Sequence, residues 1–160
     1  MEILAHILED ALFAAMASIG FSSISNTPRR TYAICALAAA VGHASRYILM
    51  SPEILDLNII VASTIAAFIV GLIAVLFAPV VKCPAEVCLF PALLPMIPGM
   101  YAYRTIQALI SCLTNPPEEL YNHYFYLLTF NGFTAAMIML GMVLGATIPI
   151  FMFKKIPFQA

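Results

Sequence analysis

Long apolar runs alternate with short polar segments along the whole chain. The runs cover approximately residues 3–24, 31–50, 57–78, 87–113 and 127–151. A helix needs roughly 20 residues to cross the hydrocarbon core of a bilayer, and each run is long enough. The third run contains no charged residue and gives the clearest membrane signal. The pattern predicts an all-α integral membrane protein, a single transmembrane domain over residues 1–160 with about five spanning helices.

Turn-forming residues separate the runs. Proline suits the first turn of a helix but disrupts its interior, so proline-containing segments mark where one helix ends and the next begins. The last run follows a tyrosine-rich segment, residues 120–126, which we expect at the membrane surface because tyrosine is enriched there. The separating segments are Asn26-Thr27-Pro28, Ser51-Pro52-Glu53, Lys82-Cys83-Pro84 and Asn115-Pro116-Pro117.

Two prolines and a glycine interrupt the fourth run, at Pro95, Pro98 and Gly99. We predict that the fourth span is broken there, because an interior proline removes a backbone donor and clashes with the preceding turn. Broken backbone at membrane depth is tolerated only where it is buried in protein or lines a watery cavity. A second half-helix starting near Gly99 would direct free N–H groups into that cavity, which suits an anion. A proline kink that serves only packing is the alternative.

The charges in the connections alternate in sign. Positive residues flank the cytoplasmic ends of membrane helices, so five spans predict a cytoplasmic C-terminus and an N-terminus outside. The basic connections contain Arg29 and Arg30, Lys82, and Lys154 and Lys155, whereas the acidic ones contain Glu53, Asp56, Glu118 and Glu119.

Composition excludes several classes of function. The chain is 63% hydrophobic and 9% charged, with a net charge of −1. Soluble domains have about 25% charged residues, and nucleic-acid-binding domains have a basic patch, so neither class fits. The sequence contains none of the common catalytic motifs and no zinc-type spacing of its four cysteines, so it predicts no catalytic residue, metal or cofactor.

Asp10 is an acidic residue near the start of the first span. A charged residue at the centre of a membrane helix costs about 2.5–3.5 kcal/mol, so such residues commonly mark functional sites. Two interpretations of Asp10 stay open. It is either a carboxylate at the membrane surface, or one that faces a polar cavity where it binds a proton or pairs with an arginine.

His43 and Arg46 lie three residues apart near the end of the second span and so share one helix face. A histidine beside a fixed positive charge is suited to proton coupling or to contact with an anion. The alternative is that Arg46 extends to the membrane surface while His43 only bonds a neighbouring helix.

Four further features lie in the last two spans. Tyr103 offers a hydroxyl donor beyond the predicted break, where Arg104 adds a cation, and Asn131 is an amide in an apolar region. Asn131 either joins helices or lines a pathway. Gly141 and Gly145 form a GxxxG pattern, which indicates close helix packing.

Several of these residues resemble one family. Gly42-His43-Ala44-Ser45-Arg46 resembles the Gly-His-x-Ser-Arg stretch of the threonine/serine exporter (ThrE-type) superfamily, and Pro95-Met96-Ile97-Pro98-Gly99 with Tyr103 resembles its Pro-x-x-Pro-Gly element. Asp10, Gly20-Phe21, Asn26-x-Pro28 and Asn131-x-x-Thr134 also follow its pattern, whereas Arg104 departs from it. The resemblance covers nearly the whole chain.

The resemblance implies the small subunit of a split, two-component exporter in the bacterial inner membrane. Its partner would be a larger membrane subunit of the same superfamily, and together they would form a ten-helix transporter. The implied substrate is a small carboxylate or amino acid, either a dicarboxylate such as succinate or threonine and serine. A scaffold subunit that transports nothing itself is the alternative.

Overall fold

The computed structural model describes residues 2–114 and 116–153, and every regular element in these ranges is helical. The prediction of an all-α fold is confirmed. Short 3-10 turns occupy Arg29–Thr31 and Leu94–Met96. The helices are α1 (Glu2–Ile24), α2 (Tyr32–Met50), α3 (Ile59–Val81), α4 (Ala85–Leu93), α5 (Gly99–Leu113) and α6 (Glu118–Met152).

Four helical segments within the described residues are each long and apolar enough to cross a membrane. They are α1, α2 with its preceding turn, α3 and α6. The pair α4 and α5 adds a fifth span if the broken pair counts as one, so the chain is a multi-pass membrane protein. α6 is continuous over 35 residues, and the tyrosine-rich segment belongs to the same helix as the last span. Asn115, Lys154 and Lys155 lie outside the described residues, and the orientation of the termini stays a prediction.

The fourth span is broken where the prolines predict it. α4 ends at Leu93, a 3-10 turn follows, and α5 begins only at Gly99. Pro98 precedes α5 without a side-chain cap, and the Gly99 N–H donates to the Ile97 carbonyl over 2.7 Å. Because proline has no N–H, the backbone ladder cannot continue through this segment. The predicted break at Pro95–Gly99 is confirmed.

The described residues form two compact units, one of residues 2–96 with 141–153 and one of residues 97–140. In the first unit, small side chains allow the helix backbones to approach closely. α3 and the end of α6 show this best, because a Cβ on Gly145 would collide with the Thr64 carbonyl oxygen and one on Gly141 with the Thr64 hydroxyl. The packing predicted from the GxxxG pattern is confirmed. The fully buried small residues of this unit include Cys35, Ala38, Ala39, Ala62, Ala66, Ala67, Ala74, Cys88 and Ala92.

The second unit contains α5 and the first part of α6. Gly132 faces Thr105, and a Cβ on this glycine would lie 3.4 Å from the Thr105 methyl carbon. Ala108 is buried in the same unit. Small residues therefore bring these two helices together as well.

Candidate functional site

Asp10 of α1 and His43 of α2 form a polar contact inside the first unit. His43 Nδ1 lies 3.1 Å from Asp10 Oδ2. The His43 side chain is only 8% exposed, whereas the Asp10 side chain is 38% exposed. Residues 3–24 and 29–50, which contain the pair, form candidate membrane spans, so the contact joins two spans. This contact does not choose between the two interpretations of Asp10, because the carboxylate is partly exposed and its partner is a histidine, not an arginine.

The two ring nitrogens of His43 have different surroundings. Nδ1 faces the Asp10 carboxylate, and the tautomer in which Nδ1 carries the proton and donates is the one that an ionised carboxylate can satisfy, because such a group only accepts hydrogen bonds. Nε2 is then the basic nitrogen, and it is buried without a hydrogen-bond partner among the described residues. A proton taken up at Nε2 would give an imidazolium whose charge the Asp10 carboxylate favours and the Arg46 guanidinium, 3.5 Å from the ring, opposes. This geometry suits reversible proton binding.

Arg46 lies one turn beyond His43 and links α2 to the end of the first half of the broken span. Its Nη1 donates to the Met96 carbonyl oxygen over 3.1 Å. Met96 ends the 3-10 turn, three positions before Gly99 in the sequence. Arg46 Nη2 also lies 3.5 Å from His43 Nδ1, but an Nδ1 that carries the proton cannot accept from the guanidinium, so the two groups are close without a hydrogen bond. Arg46 is therefore directed to a neighbouring element, and its remaining guanidinium N–H groups, which have no acceptor among the described residues, can meet an anion.

Gly42 keeps this cluster close to α3 and to the 3-10 turn. A Cβ at this position would collide with Val70 Cγ2 and lie 3.3 Å from Met96 Sδ. The glycine of the Gly-His-x-Ser-Arg stretch thus lets α2 approach the Met96 turn, where Arg46 finds its acceptor. We name the four groups Asp10, His43, Arg46 and the Met96 carbonyl the α2 polar cluster.

At the break itself, Pro95 is partly exposed, Pro98 is buried and Gly99 is exposed. A Cβ on Gly99 would have no neighbour within 4 Å, so the start of α5 is open on that side. The Gly99 N–H donates to the Ile97 carbonyl and the Ala102 N–H to the Pro98 carbonyl, so among the described residues the N–H groups of Met100 and Tyr101 are the ones left to attract negative charge. The exposed start of α5 therefore has the chemistry predicted for an anion site.

The second unit contains a cavity of about 410 Å³ between α5 and α6. Predicted site residue Asn131 lines it, whereas predicted site residue Tyr103 is not among its lining residues and is 63% exposed. The polar lining residues are Arg104, Gln107, Ser111, Tyr124 and Asn131, and the apolar ones are Ala108, Leu127 and Phe130.

Sequence reasoning assigned no role to Arg104, and the structure places it on this cavity. The signal that identifies it is helical spacing, because Arg104, Gln107 and Ser111 follow one another at three and four residues and so share one face of α5. The structure thus groups Asp10, His43 and Arg46 in one unit, and Asn131 with Arg104 in the other.

Comparison with known proteins gives one family. The sequence model of the threonine/serine exporters (Threonine/Serine exporter, ThrE) matches residues 10–152. The match includes the α2 polar cluster, the break and the cavity of the second unit. No solved structure matches this chain.

Proposed function

Because this chain belongs to the threonine/serine exporter (ThrE) family, we propose that it is a subunit of an exporter of a small carboxylate or amino acid. The substrate is either a dicarboxylate such as succinate, or threonine and serine. The observation that carries the proposal is the α2 polar cluster, in which a histidine contacts a carboxylate and an arginine reaches the end of the first half of a broken span. Ionisable groups within membrane spans commonly mark substrate and proton pathways.

In this proposal Arg46 holds the substrate carboxylate, and the N–H groups at the start of α5 offer a separate contact for an anion. Broken spans of transporters direct the N-termini of their half-helices at anionic substrate groups in this way. A single guanidinium binds a carboxylate without the affinity of a cluster of arginines. Release on the other side of the membrane therefore stays fast, as export requires.

Asp10 and His43 are proposed to couple export to proton movement. Their contact is between α1 and α2, so a proton that arrives at His43 Nε2 changes the charge balance between two spans. Arg46 Nη2 lies 3.5 Å from the same ring, so the change also acts on the group proposed to bind substrate. Tyr103 and Asn131 are proposed as further polar contacts along the pathway.

We also propose that the chain functions with a larger membrane subunit of the same superfamily, in the bacterial inner membrane. About five spans then form one half of the transporter, with the C-terminus in the cytoplasm. The resemblance of the Gly-His-x-Ser-Arg and Pro-x-x-Pro-Gly stretches to the small subunit of split exporters supports this arrangement.

Cellular efflux tests the function. Cells loaded with labelled succinate or labelled threonine are to express this chain alone, its partner alone, or both. We expect rapid efflux of one solute only when both are present, because each chain supplies part of the pathway. Equal efflux from the partner alone would contradict the proposal and would favour the scaffold interpretation.

Pro98→Ala and Gly99→Ala separate the two interpretations in the same assay. If the break forms the substrate site, these variants assemble with the partner but export several-fold more slowly. A scaffold predicts the opposite pattern, with lost assembly and normal export by the complexes that remain. Co-purification measures assembly, and Gly20→Ala is the matched control because a Cβ on Gly20 meets nothing within 4 Å.

A further inference from the structure

The His43 ring lies beside the turn at which the fourth span breaks. We propose that His43, once protonated at Nε2, donates a hydrogen bond to the Pro95 carbonyl and so fastens the first half of the broken span to α2. Without that proton, the Arg46 bond to the Met96 carbonyl is left to hold the two elements together. The role of this proton-dependent bond in transport rests on the proposed function, whereas the bond itself does not.

The Pro95 carbonyl has lost the donors that a helix would provide. In an α-helix a carbonyl accepts from the N–H four residues later, and in a 3-10 turn from the N–H three residues later. Pro98 has no N–H, and the Gly99 N–H donates to the Ile97 carbonyl over 2.7 Å. The backbone of this segment therefore cannot satisfy the Pro95 carbonyl, which is suited to accept from a neighbouring element.

The His43 ring is placed to supply the missing donor. Gly42 lets α2 approach the turn, because a Cβ there would lie 3.3 Å from Met96 Sδ. The Pro95 backbone is within hydrogen-bonding reach of the ring, and the His43 side chain is only 8% exposed, so little water competes there. Nδ1 faces the Asp10 carboxylate, so Nε2 is the nitrogen left for the Pro95 carbonyl.

The protonation state of Nε2 decides whether this bond forms. In the neutral ring Nε2 carries a lone pair, and two acceptors do not bond each other. This agrees with an Nε2 that is buried without a hydrogen-bond partner among the described residues. Protonation turns Nε2 into a donor, and the Pro95 carbonyl is then the acceptor beside it. The bond is therefore expected at low pH, and it is lost as the pH rises and His43 releases its proton.

Charged groups from two helices act on the ring. Asp10 of α1 favours the imidazolium, whereas Arg46 of α2 opposes it. α3, which also packs against α2, contains no charged residue. The charged residue of α4 is Glu86, which lies in the first turn of that helix, at the end remote from Pro95. The balance between Asp10 and Arg46 therefore sets the pH at which the bond forms.

The two polar contacts with the turn then differ in kind. Arg46 does not lose its charge at any ordinary pH, so its bond to the Met96 carbonyl is constant. His43 is the variable member, because its bond to the Pro95 carbonyl requires a proton. A proton that reaches Nε2 thus changes how firmly α2 holds the break, the segment at which the proposed function places the anion pathway.

Nuclear magnetic resonance of the full-length chain in detergent micelles tests the bond. Proline precedes methionine only at Pro95 and precedes glycine only at Pro98, so carbon-13 in proline carbonyls with nitrogen-15 in methionine and glycine resolves these two carbonyls. Nitrogen-15 in the histidine rings reports the state of Nε2. As the pH falls, we expect His43 Nε2 to become protonated and the Pro95 carbonyl signal to shift downfield with the same midpoint. The Pro98 carbonyl already accepts from the Ala102 N–H and should not shift.

Two histidine variants provide the controls. His43→Gln should abolish the pH-dependent shift of the Pro95 carbonyl, whereas His123→Gln, which removes an exposed histidine of α6, should leave it unchanged. If His43→Gln does not fold, the two midpoints in the unaltered chain still decide the question.

Three results would overturn the proposal. They are a Pro95 carbonyl that stays constant or has a different midpoint while His43 titrates, equal shifts of the Pro95 and Pro98 carbonyls, and an Nε2 that takes up no proton at any pH at which the chain stays folded. Because none of these measurements involves export, failure here and failure of the proposed function give different results.

Discussion

Replacing Arg46 with alanine is expected to abolish export while the subunit stays folded and inserted. Arg46 Nη1 bonds the Met96 carbonyl at the end of the first half of the broken span, and its other N–H groups are available to an anion. Without the guanidinium, no cation from α2 remains to pair with a substrate carboxylate. Loss of a charge-assisted pair costs about 1.5–3 kcal/mol, or roughly tenfold to a hundredfold in binding. Efflux of labelled substrate from cells that contain both subunits measures the effect.

Folding is expected to survive the change. An arginine is unfavourable by about 2.5–3.5 kcal/mol at the centre of a membrane helix and by less near its end, where Arg46 lies, and alanine removes this cost while leaving one carbonyl without its partner. Arg46→Lys should retain partial export, because it keeps the charge but loses the planar donor fork. Arg29→Ala, which removes a charge from the exposed turn between α1 and α2, is the control. Full export by Arg46→Ala would remove this residue from the substrate site.

The second large effect is a loss of stability, and it is expected from Gly145→Ala. A Cβ at this position would overlap the carbonyl oxygen of Thr64, and backbone atoms cannot rotate out of the way as a side chain does. Gly145→Ala must therefore separate α3 from α6. Overpacking of this kind costs about 1–3 kcal/mol, so we expect a clear fall in the thermal unfolding midpoint and in the yield of folded protein in detergent.

Graded substitutions provide the controls for Gly145. Gly141→Ala should have a smaller effect, because its new Cβ meets the Thr64 hydroxyl, a side-chain group that can move. Gly20→Ala should be neutral, since a Cβ there has no neighbour within 4 Å. A melting temperature for Gly145→Ala equal to that of Gly20→Ala would show that α3 and α6 are not in this close contact.

The break in the fourth span could be predicted because its cause is local. Pro95, Pro98 and Gly99 stop the backbone ladder whatever surrounds them, and the helix ends follow directly. The contact at Thr64 was predictable only in part. Gly141 and Gly145 indicated close packing, but nothing in their spacing identified α3 as the neighbour.

The polar contacts depended on tertiary structure that the sequence does not reveal. From the sequence, an arginine was one possible partner of Asp10. In the fold its partner is His43, because the facing sides of α1 and α2 bring these two residues together. Arg104 received no role because it departs from the family pattern. Its position on the cavity became evident only when α5 and α6 were seen to line the same space.

Chemical labelling of Gly99→Cys tests most directly whether water reaches the break in the fourth span. Gly99 is exposed and a Cβ fits there without contact, so a cysteine can be introduced into a chain whose native cysteines are replaced. In membranes that contain both subunits, we expect a water-soluble thiol reagent to label this cysteine and transported substrate to slow the reaction. A cysteine at Met139, an exposed residue within the apolar span of α6, should stay unlabelled. If Gly99→Cys reacts only with a membrane-soluble reagent, and substrate has no effect, the break does not lie in a watery substrate pathway.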